Sequence, residues 1–497
     1  MNKSAGQGLR DDGGTQIPSF VTSIPNGSET GVFLVVDLGG TNCRISAVQL
    51  HGNSTYTMKQ SKNAVPRHCM VNPRHEPLFD FIAQQLASFL HDNPEMAAMD
   101  HVDSSSPVSA GFRKLGFTFS FTYDSHSVSR GTMLQWDKGW DILDAIGRDP
   151  CRMLQDAIDR QKLRVRVTAL TNDSVGTLMA KAYTSAQAST PLIGAIFGTG
   201  TNAAYVEQLA RIEKLPRRSE SLKGDDSVMV INTEWGAWFD TTPAALPGCM
   251  YDDILDRESP TPGEQLFEKR TSGLYLGELM RLATLDLVAA KRLRMTVRAD
   301  SPLHTPYRVN ASFLSALASG PDSAHSTEWP NIKAEISEIL DVVNLSRKDA
   351  QILLRLSFTI VRRAAQLAGA SMAAIIIHSG RLTTVLPASE PRSKCFLRWK
   401  LWRSWLTQVR TACLSGRHED DEAATLFSNT TLGPPTDCID IGIDGSLFEH
   451  YPGFEENIRS ALRALPQIGS EGEARVRIGL AKEGSSLGAA LIAQSVQ

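Results

Sequence analysis

Three times along this chain a strand-like segment meets a turn built from glycine and hydroxyl-bearing or acidic residues: Asp37-Leu-Gly39-Gly40-Thr41-Asn42, Gly198-Thr199-Gly200-Thr201-Asn202 and Asp444-Gly445-Ser446. Glycine at such a turn lets backbone N–H groups approach an anion without interference from a Cβ atom. Any one of them is equally well read as a tight hairpin turn with no further role. Their recurrence constrains the fold: a repeated strand, glycine turn, strand unit predicts an internally related pair of α/β domains.

The rest of the hydrophobic pattern agrees. Val32–Leu38, apolar except for Asp37, reads as a buried strand, and Cys43–Val48 follows its glycine turn. Strands are expected at Lys114–Phe121, Val165–Leu170, Leu192–Phe197 and Ala203–Val206, with a further hairpin at Ile439–Phe448. Helical spacing covers Leu78–Leu90, Ser174–Tyr183, Pro262–Ala290, Asp349–Ala374 and Leu487–Ser495. Residues 1–30, rich in Gly, Ser and Pro, read as a disordered tail.

With 497 residues, more than one core is expected. A net charge of -3 gives no reason to expect a nucleic acid partner. The seven cysteines are scattered without CxxC pairing, which points to reduced thiols in the cytoplasm and away from a zinc site. No signal-peptide core or membrane-spanning run is read in the sequence. A Gly-Lys-Ser/Thr loop is missing, as are the His-Arg-Asp and Asp-Phe-Gly sets, which removes two common designs for handling phosphates.

Five longer blocks carry more information. They are Leu115-Gly-Phe-Thr-Phe-Ser120-Phe, Trp136-Asp137-Lys138-Gly, Thr171-Asn172-Asp173-Ser-Val-Gly-Thr-Leu-Met, Ile231-Asn-Thr-Glu234-Trp-Gly-Ala, and Pro262-Gly-Glu-Gln-Leu-Phe-Glu268-Lys-Arg-Thr-Ser-Gly-Leu-Tyr-Leu-Gly-Glu. In order and spacing they resemble the blocks of the hexokinase family, of fungal glucokinase-like type, from about Val32 to Ala493. The resemblance implies a two-domain, actin-like or ribonuclease-H-like α/β clam with a deep cleft. A small domain would hold residues 31–171 plus 476–497, and a large domain residues 172–475. It further implies MgATP-dependent phosphorylation of a hexose, with D-glucose expected, at the 6-hydroxyl.

By the same resemblance Asp173 is the catalytic base and Lys138 neutralises charge on the transferred phosphoryl group. Ser120, Asp137, Asn172, Asn202, Glu234 and Glu268 are the sugar ligands, a set of amides and carboxylates suited to a fan of hydroxyls. Thr199, Gly445, Ser446 and the turn Gly39-Gly40-Thr41-Asn42 touch the nucleotide phosphates, and Asp37 lies near Mg²⁺; no protein-bound metal site is expected. Taken singly, Asn172-Asp173 could equally be a helix N-cap, and Glu234 and Glu268 solvated surface charges.

The chain departs from the family at several points. Thr122 replaces a proline, Asp137 a threonine and Leu487 a lysine, while Glu483 and Ser486 replace aspartate and glycine. These changes motivate a second reading, a sugar sensor with weak or no transfer. An insertion at about 384–437 adds a basic segment, 392–410, whose Phe396, Trp399, Trp402, Leu406 and Val409 share one helical face. Such a helix either packs its aromatic stripe on the large domain or contacts a membrane surface or a protein partner.

Overall fold

The computed structural model describes residue 9 and residues 15–94, 111–136, 139–185, 190–215, 227–319, 329–382 and 438–496. The strands of its two large sheets and of one hairpin are β1 (Ile17–Pro18), β2 (Thr30–Gly39), β3 (Asn42–His51), β4 (Tyr56–Ala64), β5 (Arg113–Phe119), β6 (Thr122–Ser127), β7 (Arg130–Gln135), β8 (Val165–Thr171), β9 (Ile193–Phe197), β10 (Thr201–Gln208), β11 (Val228–Asn232), β12 (Ile439–Asp444) and β13 (Val476–Leu480); Thr296–Val297 and Val342–Val343 pair as a small separate ladder. One sheet has the order β4-β3-β2-β5-β8 and the other β1-β11-β10-β9-β12-β13.

Apart from β1 the two sheets are wound alike. In each, the first three strands form an antiparallel meander and two more join in parallel beside the first. The central strands β2 and β9 are flanked on both sides, so their apolar runs are buried and do not alternate. The edge strand β4 instead alternates in exposure and carries Lys59 and Lys62, charges that discourage pairing with another chain.

Helices α1 (Glu76–Asp92) and α2 (Pro150–Arg160) bury Leu78, Phe79, Ile82, Leu86, Met153, Leu154 and Ile158 against one face of the five-stranded sheet. Asp149 caps α2 by accepting the Cys151 N–H at 2.9 Å. Two further helices, α3 (Asp173–Thr184) and α7 (Gly484–Ser495), lie between the sheets. One apolar cluster there joins Val35 and Val48 of the first sheet to Ala204 and Val230 of the second, through Val175, Leu178 and Leu491 of these helices. The second sheet is covered by α4 (Gly273–Ala289), α5 (Arg347–Ser379) and α6 (Phe454–Ala464). The related pair of α/β domains expected from the glycine turns is therefore present, as two sheets of one topology.

Several expectations need correction. Residues 15–30 are not a loose tail: β1 pairs with β11, covering its edge, and Ile17 and Val21 are buried. The segment from Val476 does not belong wholly with the small domain. β13 pairs with β12 in the larger sheet, and only α7 packs on β2, β5 and β8. Ile439–Phe448 is not a hairpin, because β12 runs parallel to both neighbours and Gly445 opens a short helix, Ser446–His450. The predicted helix from Pro262 is interrupted: Glu268–Thr271 and α4 are separated by Ser272, whose backbone is extended. α5 is long and apolar enough to cross a bilayer by length and composition alone, contrary to the sequence reading. Its apolar residues are nonetheless mostly buried inside the protein. The insertion, with its segment 392–410, lies outside the described residues.

Leu487 also changes its meaning. It is 1% exposed and packs in the cluster between the sheets, so it faces core and not nucleotide. Restoring the family's lysine there should not tighten ATP binding. Burying an unpaired ammonium should instead lower stability by several kcal/mol. A urea titration of Leu487→Lys beside an ATP titration checks this, and a parent-like midpoint with tighter ATP binding would refute it.

Candidate functional site

The site begins where β8 hands over to α3. Asn172 is the N-cap, its Oδ1 accepting the Ser174 N–H at 2.9 Å and the Ser174 hydroxyl at 2.8 Å. The bland reading of Asn172 is thus correct as far as it goes. What it leaves out is that the capped turn fixes Asp173, half-buried, as the first residue of the helix. Its Oδ1 accepts the same Ser174 N–H at 2.8 Å, and a helix N-terminus is a favourable place for a carboxylate.

Facing Asn172 is a polar cluster from the second sheet. The Asn202 amide nitrogen lies 3.2 Å from Asn172 Oδ1, 2.9 Å from Asn232 Oδ1 and 3.2 Å from Glu234 Oε1. An amide has two protons, so three acceptors at this nitrogen exceed what it can satisfy. The acceptors share other donors: Ser174 serves Asn172 Oδ1, and the Asn232 amide serves Glu234 Oε1. Glu234 is held in the left-handed region at φ 46°, a conformation costing about 1–3 kcal/mol in a residue with a side chain. Asn232 secures it, donating to Glu234 Oε1 at 2.8 Å.

Asn232 was not singled out in the sequence. The signal was available, since it stands inside one of the quoted blocks, two residues before Glu234.

Glu268 joins through the glycine turn. Its Oε2 accepts the Thr201 N–H at 2.9 Å, and a Cβ on Gly200 would lie 2.8 Å from that oxygen. Glycine at 200 is what lets the carboxylate approach. Thr201 is itself fixed, its hydroxyl accepting the Trp235 indole N–H at 3.0 Å. Glu234 and Glu268 are partly buried, not the freely solvated charges of the alternative reading.

The smaller sheet contributes the opposite side. Ser120 follows β5, and its N–H donates to Leu38 O at 3.1 Å. Its hydroxyl lies 3.2 Å from where a Cβ on Gly39 would be, which seats it on the first glycine turn. Tyr123 of β6 packs behind it in the apolar core, against Phe119. Burial pushes its hydroxyl pKa far up, and the charges of Cys151, Glu234 and Asp173 push it further. Thr122, the departure from proline, pairs with Gln135 at a bulge at the start of the β6–β7 hairpin.

Asp137 and Lys138 lie outside the described residues. The chain on either side of them is tied down: Trp136 and Trp140 stack with centroids 5.5 Å apart, and Trp140 donates its indole N–H to Gly40 O at 2.7 Å.

A second group of predicted residues lies at the glycine turns. Asp37 is buried, its Oδ2 receiving the Arg44 guanidinium at 3.0 Å and the Ser485 hydroxyl at 2.8 Å. Gly40 has φ 59°, Thr41 is exposed, and the Asn42 amide donates to the Thr41 hydroxyl at 3.3 Å. Gly198 and Gly445 face one another, a Cβ on the former reaching 4.0 Å from Cα of the latter, with Thr199 and Ser446 exposed beside them. Asp444 ends β12 between these turns. Burial pushes its carboxyl up, helped by the charge of Glu483 and opposed by the Gly445 and Gly484 amides and by Arg44. The site therefore has an acceptor-rich end carrying Asp173 and an open, glycine-lined end.

Two family models described as hexokinase match residues 1–183 and 192–495. A glucokinase of Aspergillus niger is 37% identical over 96% of this chain and 88% of its own length. Glucokinase-1 of Saccharomyces cerevisiae is 35% identical over 97% of this chain and 88% of its own. Among solved structures, a hexokinase from Schistosoma mansoni in complex with glucose superposes with a TM-score of 0.74 at 29% identity, covering 99% of this chain and 93% of the other.

Proposed function

This chain belongs to the hexokinase family, and we propose that it transfers the terminal phosphoryl group of MgATP to the 6-hydroxyl of a hexose, D-glucose being the sugar it takes. The observation that carries the reading is the placement of Asp173 beside Asn172, on the helix whose cap joins the Asn202, Asn232, Glu234 and Glu268 cluster. A carboxylate there can take the proton of a primary hydroxyl while neighbouring amides and carboxylates hold the other hydroxyls. Ionised Glu234 and Glu268 only accept, whereas Asn172 and Asn202 can also donate, so the set can read both the lone pairs and the protons of a sugar. Glucose is favoured because the relatives named above are glucokinases and the solved neighbour holds glucose.

The glycine-lined end suits a polyphosphate. A Cβ on Gly445 would meet Phe197 O at 2.3 Å, so this cradle exists only with glycine. Thr41, Thr199 and Ser446 would donate to phosphate oxygens there, and Lys138 to the transferred group. A bound magnesium ion supplies charge neutralisation, and Asp37 and Asp444 are hard oxygen donors of the type it prefers. The sensor reading rested partly on Leu487, and that support falls with its burial.

The test is a coupled assay for hexose 6-phosphate on the purified protein with MgATP. Glucose-dependent turnover is expected. Saturable glucose binding without any product would instead favour the sensor.

A further inference from the structure

A fully buried lysine sits next in sequence to one of the sugar carboxylates. Lys269 is 2% exposed, and its ammonium donates to Asp256 Oδ1 at 2.7 Å and to Thr261 O at 2.6 Å. The Asp256 carboxylate also accepts the Gly263 N–H, at 3.0 Å and 3.2 Å from its two oxygens. A second carboxylate holds the other end of this loop. Asp240 accepts the Gln265 N–H at 2.7 Å and the Leu266 N–H at 2.9 Å. Loop 259–267 is thus fastened at both ends by charged side chains.

Stability alone is a poor explanation for such a device. Replacing a buried ion pair by apolar residues of similar volume is often neutral or favourable. What the fastening does have is a geometric consequence. Phe267 donates its N–H to Gly236 O at 3.0 Å, inside the turn that follows Glu234, and Gln265 Oε1 sits 2.2 Å from where a Cβ on Gly236 would be. The loop therefore packs on the turn that follows the left-handed Glu234, and one residue later it delivers Glu268 to Thr201. Both carboxylates are referred to the same frame.

We propose that Asp240, Asp256 and Lys269 are positioning residues, a clasp that sets the separation of Glu234 and Glu268 and through it the affinity for the hexose. The proposal rests on the reading that these two glutamates bind the sugar. Carboxylates that read neighbouring hydroxyls tolerate little error, and losing one hydrogen bond to a charged group weakens binding by roughly tenfold or more. Asp173 stands on a different element, so loosening the clasp changes binding of the sugar more than the chemical step.

The experiment is steady-state kinetics of Lys269→Met and Asp240→Asn with D-glucose and MgATP. About a tenfold or larger rise in KM for glucose is expected, with kcat and the KM for ATP close to the parent values. The double variant Lys269→Met/Asp256→Leu removes both charges, so it should regain the stability lost by leaving Asp256 unpaired while KM for glucose stays high. Recovery of the parent KM together with stability would show that the pair serves folding only and would overturn the proposal. If Lys269→Met fails to fold, Asp240→Asn carries the test, and an unchanged KM for glucose in that variant overturns it equally. Glu268→Gln separates the two levels. An unaltered KM for glucose there sinks the sugar-site reading itself. A raised KM there with no effect of Lys269→Met or Asp240→Asn sinks the clasp alone.

Discussion

Asp173→Ala is expected to abolish hexose phosphorylation while leaving glucose binding largely intact. Removing a positioned general base typically costs about 10²–10⁴-fold in rate. The folded site gives reasons why the loss should be confined to chemistry. Asp173 Oδ1 accepts the Ser174 N–H, which Asn172 Oδ1 also accepts, so the helix keeps its cap when the carboxylate is gone. The amides and carboxylates that would hold the sugar are cross-linked to one another through Asn202 and Asn232 and to the Thr201 backbone. Asp173→Asn, which keeps the shape and loses the base, should be nearly as slow. The coupled assay together with calorimetric titration of glucose measures both quantities. Turnover within tenfold of the parent in either variant would show that another group takes the proton.

Much of this arrangement could be read from the sequence because the residues involved are governed by local rules. The run Val32–Leu38, apolar except for Asp37 and closed by glycines, reads as a strand buried on both faces, and β2 is the central strand of its sheet. The turns at Gly39 and Gly198 were legible because two strand-like segments closed each of them within a few residues. The turn at Gly445 looked the same locally, yet the partners of β12 are β9 and β13, distant in sequence, so a strand, turn and helix was mistaken for a hairpin. Val476–Leu480 failed for the same reason: which sheet a short strand joins is decided by long-range pairing, which no local pattern encodes.

At the site, the residues proposed to bind the sugar stand out in the sequence through their blocks, and the residues that hold them in place do not. Asn232, Asp240, Asp256 and Lys269 matter through the atoms they bond, and an isolated acidic or basic residue in a sequence is far more often a surface group. Leu487 is the converse case. Its position within a nucleotide-loop block suggested a contact, but it lies one helical step beyond the loop, where α7 turns its side chain into the space between the sheets.

Gly445→Ala should damage both the fold and the use of ATP, and more severely than the same change at Gly40. Both glycines have positive φ, 117° at Gly445 and 59° at Gly40, so each alanine meets backbone strain. At Gly40 nothing lies within 4 Å of the added methyl group, and the cost is that strain alone, about 1–2 kcal/mol. At Gly445 the methyl group would lie 2.3 Å from Phe197 O, 2.4 Å from Phe197 C and 2.8 Å from Gly198 N. These are backbone atoms at the end of a central strand, so no rotamer change can clear them. The turn at Gly198 must move or the two strands must part, adding about 1–3 kcal/mol to the strain. Moving that turn displaces Thr199, and it also shifts the Gly198 carbonyl that accepts the Gly273 N–H at the start of α4. A shift of about 1 Å in a group proposed to position the nucleotide is expected to cost on the order of 10²-fold in turnover. Urea unfolding of the two variants, with KM for ATP and kcat measured on each, gives the comparison. A parent-like midpoint and ATP dependence in Gly445→Ala would mean that the two turns can separate freely, and the phosphate cradle would have to be sought elsewhere in the cleft.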